Sequence, residues 1–216
     1  MGIPVMIMGE SGSGKTFSIK NLDPEKVTIC MCEKNRLPFR KQFQTYKVKD
    51  MKTEDGRIIR QGRVIAEKLK TASKKLYVID DSQYIMANEF FDRGLEGGYQ
   101  KFTDIGVNFR AVIHAVNNDT PDDVIVYFLH HPEIDQATGK MKAKTIGRML
   151  DEKLTLEGCF DIVLLARTDG KDHWFQTQSD GTNTCKSPEG MFEDKIPNDL
   201  ALVDKAIREY YGMEAL

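Results

Sequence analysis

The stretch Gly9-Glu10-Ser11-Gly12-Ser13-Gly14-Lys15-Thr16 constrains this chain more than any other part of it. It satisfies the pattern G-x-x-x-x-G-K-[ST] at every position. Its flanks match as well: the apolar run Ile3 to Met8 leads in as a buried strand would, and Phe17, Ile19 and Leu22 follow at spacings that suit a helix packed on a sheet. Glycines at 9, 12 and 14 let successive N–H groups turn inward to form a concave anion site. A helix beginning near Gly14 would bring its positive end to the same spot. From there the Lys15 ammonium can reach β- and γ-phosphates, and the Thr16 hydroxyl can hold Mg²⁺. The stretch therefore predicts a site for a nucleoside triphosphate with Mg²⁺.

At 216 residues the chain suits one well-buried α/β domain and is too short for two large ones. Its net charge of −2 argues against a protein that coats nucleic acid by bulk charge. No stretch approaches 18 apolar residues and the start lacks a basic-then-apolar signal, so neither a membrane span nor a leader is expected, and the cytoplasm is the expected compartment. Cys30 and Cys32 would share one face of a strand, but no second Cys or His pair at ligand spacing completes a metal site. Buried free thiols are expected at all four cysteines.

Along the chain, Val27–Cys32, Leu76–Ile79 and Val124–Leu129 read as further buried strands, ending at Glu33, Asp80-Asp81 and His130-His131, and Phe160–Ala166 as another. Helical patterns fill Val64–Lys75, the region from Ser82 to Asn117 interrupted at Arg93–Gly98, and a short piece near Thr145–Leu156. Near-continuous apolar strands alternating with helices predict a mainly parallel sheet covered on both faces, with ligands at the carboxyl ends of its strands. Residues 34–75 stand apart, carrying 14 Lys/Arg against 4 Asp/Glu, with Phe39, Phe43 and Tyr46 interleaved. Glu54-Asp55-Gly56 predicts a hairpin or loop excursion inside this basic segment, between Tyr46–Met51 and Arg57–Ile59. In the C-terminal part, 172–216, His173–Gln178 and Thr182–Lys186 read as two arms of a hairpin about Asp180-Gly181, and Asp199–Tyr211 as a closing amphipathic helix.

The candidate chemistry follows from the strand ends. Asp80 stands where a carboxylate can hold Mg²⁺ beside Thr16, although such a residue can also simply cap the next helix. Glu33, at the end of a neighbouring strand, is the candidate to orient and deprotonate an attacking water. His130 is placed to sense the γ-phosphate and signal to the loop behind it, with His131, facing the other way, as its alternate. Lys140, Lys142 and Lys144 suit nucleic-acid phosphates, as does the basic segment, which can equally be a solvated face.

This order of parts resembles the core of RecA-type recombinases and hexameric helicases. Leu37-Pro38-Phe39-Arg40, Val78-Ile79-Asp80-Asp81-Ser82-Gln83-Tyr84, Lys144-Thr145-Ile146-Gly147-Arg148 and Thr184-Cys185-Lys186-Ser187-Pro188-Glu189-Gly190-Met191-Phe192 look closer still to a phage-encoded family of small RecA-like ATPases, the phage nucleotide-binding AAA proteins. The resemblance runs over essentially the whole chain. It implies one RecA-like P-loop domain over 1–216, an ATPase of phage recombination or replication in the host cytoplasm. It further implies action on single-stranded DNA with single-strand-binding or annealing proteins. In such cores the carboxylate at Glu33's position activates water, and the loops at Asp92–Gln100 and Glu133–Lys144 face DNA. Basic residues at the position of Lys186 reach a neighbour's γ-phosphate, which requires a homo-oligomer.

Other readings of the motif fit less well. A small-molecule kinase would bring an arginine-rich lid, whereas residues 100–130 hold only Lys101 and Arg110 as Lys or Arg. No Asn/Thr-Lys-x-Asp guanine-reading motif is present, and a helicase-loader-like ATPase would close on a helical lid. A nucleotide-gated DNA- or partner-binding module with little turnover remains beside the ATPase, with Glu33 the residue that separates them.

Overall fold

The computed structural model describes residues 1–33, 36–147, 150 and 154–216. A central eight-stranded sheet is built from β1 (Ile3–Met8), β2 (Val27–Met31), β3 (Thr45–Lys47), β6 (Leu76–Asp80), β7 (Ile125–His130), β10 (Ile162–Thr168), β11 (His173–Gln176) and β12 (Lys195–Pro197). Their order is β12-β11-β10-β1-β7-β6-β2-β3, and every pairing from β10 to β3 is parallel, while β11 runs antiparallel to both its neighbours. Two small antiparallel pairs lie outside it: β4 (Met51–Lys52) with β5 (Ile58–Ile59), and β8 (Pro132–Ile134) with β9 (Met141–Ala143).

The continuous apolar strands divide by alternation. Met6, Met8, Cys30, Ile79, Phe128 and Val163 face a core closed by α1 (Gln61–Lys70), α2 (Tyr84–Asp92) and α3 (Gln100–Asn118). Val5, Ile7, Ile29, Val78, Leu129 and Leu164 face the other, closed by α4 (Leu200–Tyr211). Both faces being covered explains why the strands lack polar alternation. β7 lies between β1 and β6, so the ends of the phosphate-loop strand and of the Asp80 strand flank the His130 strand end.

Several expectations change at this level. No long helix follows the phosphate loop: Lys15 and Thr16 form a turn, and Phe17–Asn21 is one short 3₁₀ segment. A helix of this length brings little dipole to the end of the loop. The basic segment splits. Thr45–Lys47 joins the main sheet as its edge beside β2, and only Met51–Lys52 and Ile58–Ile59 make the excursion. The C-terminal hairpin also has a different partner. β11 pairs with β12 rather than with residues 182–186, which instead touch Met141 through Asn183 and Val163 through Lys186. The helix expected near Thr145–Leu156 falls in part on residues 148, 149 and 151–153, outside the described residues.

Candidate nucleotide site

The loop 9–16 leaves β1 at the carboxyl edge, where its tight approach to the sheet selects glycine. A Cβ on Gly9 would lie 2.4 Å from the Ser13 hydroxyl and 3.0 Å from the Ala166 methyl. Gly14 has φ of +93°, which side-chain-bearing residues rarely adopt. Lys15 is buried within the loop, its ammonium donating to the Gly9 carbonyl (2.5 Å) and the Glu10 carbonyl (2.9 Å). The Thr16 hydroxyl donates to Asp80 Oδ1 at 2.9 Å across 64 residues of sequence, and Asp80 is 1 % exposed. Two hard oxygen groups thus meet beside the phosphate loop, the donor type that Mg²⁺ takes. Among the described residues no group of three or more His, Cys, Asp or Glu could hold a metal ion. Thr16 and Asp80 would supply two of the oxygens that Mg²⁺ takes, the remainder coming from water or a bound ligand.

A cavity of about 450 Å³ opens over the loop and is further lined by Phe17, Pro38, His131 and His173. It is His131, not His130, that reaches it. His130 is 0 % exposed and turns to the helical side, packing on Phe109 with ring centroids 5.8 Å apart. Its Nε2–H donates to the Lys144 carbonyl (2.8 Å), which leaves Nδ1 to accept from the Ser82 hydroxyl (2.8 Å). Burial pushes this imidazole down to about 4, so it stays neutral in this role. His130 is thus a buried tie between β7, the start of α2 and the end of the β8–β9 hairpin. Strand alternation puts His131 on the other side, 3.3 Å by Nε2 from Asp81 Oδ1. Asp81 is buried and, with φ of +58°, is the non-glycine residue in the left-handed region among those described. His173, whose Nδ1 lies 3.1 Å from the Ser13 carbonyl, lines this cavity without having been expected there. His173 gave no local signal, because its strand joins the sheet next to β10.

Glu33 lies one residue beyond Cys32, whose N–H donates to the Asp80 carbonyl and whose carbonyl accepts from Gln61 and Asn88. That anchors the end of β2 at the carboxyl edge, but the Glu33 side chain is exposed and does not line the cavity. Lys140 and Lys144 are exposed on the β8–β9 hairpin, while Lys142 pairs with Asp135 at 3.2 Å. The Thr138 and Ala137 amides and Lys142 together hold the Asp135 carboxyl below the usual range, so this hairpin is a folded unit. Lys186 is placed differently from expectation. Its backbone pairs with Val163, which is level with Met6 of β1, three residues or about 10 Å short of the phosphate loop. Its backbone does not belong to the carboxyl edge of the sheet.

No protein-family model matches the chain, and a search of curated proteins finds no match.

Proposed function

We propose that the chain is a Mg²⁺-dependent nucleoside triphosphatase of the RecA-like kind that works with single-stranded DNA. The observation that carries the reading is the Thr16–Asp80 contact at 2.9 Å, made beside a complete phosphate loop. In this reading the loop N–H groups and Lys15 hold the triphosphate, and Thr16 and Asp80 hold Mg²⁺. The ion, when bound, offsets charge on the β- and γ-phosphate oxygens. The Asp81 carboxylate, 3.3 Å from His131 Nε2, would orient the imidazole so that Nδ1 takes a proton from the attacking water. Glu33 is the alternative base, and its exposed position favours the second reading, a nucleotide-gated module with little turnover, if Asp81 and His131 do not serve.

The DNA part is supported by the exposed lysines of the β8–β9 hairpin and by a groove of about 430 Å³ beside it, lined by Tyr84, Phe90, Phe91 and Lys144. Aromatic rings next to cations suit unstacked bases and phosphates. His131 lines both this groove and the nucleotide cavity. Resemblance of the stretches around Asp80, Lys144 and Lys186 supports a phage protein partnered by single-strand-binding or annealing proteins, acting as a homo-oligomer. The deciding experiment is ATP turnover with Mg²⁺, with and without single-stranded DNA. Stimulated turnover is the expected result, and tight binding without turnover would select the second reading.

A further inference from the structure

We infer that Phe17 is the platform on which the nucleobase stacks, and that the site therefore accepts purine nucleoside triphosphates with little regard to which purine. The inference rests on the nucleotide reading above and concerns how that site chooses its ligand. Apart from the phosphate loop itself, the cavity is lined among the described residues by His131, His173, Phe17 and Pro38. His131 stands with Asp81 at the β6–β7 strand ends, next to the Thr16–Asp80 pair, which marks the terminal-phosphate side. The nucleoside must then leave along the remaining wall.

On that wall Phe17 is 45 % exposed, a large apolar ring left in water at the rim of an anion site. Its position is fixed: Phe39 meets it edge-on at 6.3 Å and Phe43 backs Phe39 at 5.7 Å, while Lys20 lies 5.1 Å from the ring. A ring braced by Phe39, itself backed by Phe43, offers a preorganised surface to a flat base. Neither Phe17 nor Pro38 has a side-chain donor or acceptor. Strong discrimination between bases needs buried polar groups that the wrong base leaves unpaired; among the described residues Phe17 and Pro38 supply none, and His173 has its Nδ1 turned to the Ser13 carbonyl at 3.1 Å.

The test is calorimetry with Mg²⁺ and three ligands, ATP, GTP and inorganic tripolyphosphate, on wild type, Phe17→Ala and Phe17→Trp. Wild type is expected to bind ATP and GTP within about threefold of each other. Both should bind roughly 10- to 100-fold more tightly than tripolyphosphate, the range that base–aromatic stacking supplies. Phe17→Ala should lose that margin while its tripolyphosphate affinity stays at the wild-type value, which also reports an intact loop. Phe17→Trp should keep it. ATP binding by Phe17→Ala as tight as wild type overturns the platform, and a preference of 100-fold or more between ATP and GTP overturns the indifference. Failure of wild type to bind any of the three overturns the nucleotide reading itself, a distinguishable outcome.

Discussion

The Lys15 ammonium is held at the centre of its loop by two carbonyls, poised where incoming phosphate oxygens would replace them. Lys15→Ala is expected to abolish triphosphate binding, because it removes the loop's cationic side chain; wild-type affinity by calorimetry would contradict this. The division of labour among carboxylates gives a sharper comparison. Asp81 touches the cavity-lining His131, whereas Glu33 is exposed outside the cavity. Asp81→Asn and His131→Ala should each lower kcat by about two to four orders of magnitude with nucleotide affinity kept, the usual weight of a positioned base. Glu33→Gln should lower it less. Measured kcat values in the reverse order would return the base to Glu33.

At the scale of elements, His130 binds β7 to the neighbouring hairpin through a neutral imidazole. Unfolded, that ring takes up a proton as pH falls below its ordinary 6.5; folded, it resists until about 4. The unfolded state thus binds more protons in this window, so stability is full above it and falls on acidification by about 3 kcal/mol. Chemical denaturation at both ends of the window should show a steeper loss for wild type than for His130→Asn. Equal losses would mean the ring is not held neutral. Helix α4 has a simpler device: Asp199 accepts from the Ala201 amide at 2.9 Å and from Asn21 Nδ2 at 2.7 Å. Asp199→Ala should cost about 1 kcal/mol of stability by denaturant titration.

Across the whole molecule, the carboxyl edge carries the candidate nucleotide site and the amino edge carries a buried clamp. Arg208, 2 % exposed, pairs with Asp204 at 2.8 Å and donates to the Asp123 and Lys75 carbonyls just before β7 and β6. Burial raises the Asp204 carboxyl and the Arg208 guanidinium draws it back down. Arg208→Met should cost about 3–5 kcal/mol, since it strands a buried carboxylate; a denaturation midpoint near wild type would show that the pair is dispensable. The charge distribution matters at the same scale. Reversing Lys140, Lys142 and Lys144 to Glu should weaken single-strand binding and flatten its salt dependence, read by a salt titration. Among the described residues no helix is long and apolar enough to cross a membrane.

The glycine-rich turn after β1, the parallel strands and the meeting of Thr16 with Asp80 were legible in the sequence, because each rests on local pattern: glycine spacing, apolar runs and a carboxylate at a strand end. What the tertiary structure decided is what depends on one-residue register and on strand neighbours. His130 and His131 are adjacent in sequence, and only the strand's alternation sends the first into the core and the second to the cavity. The pairing of β11 with β12 instead of residues 182–186 depends on contacts spanning some twenty residues, beyond the reach of a turn signal. That same pairing sets His173 over the loop and leaves Lys186 about 10 Å below it. Local pattern specified which residues could do chemistry; sheet order and alternation decided which of them meet.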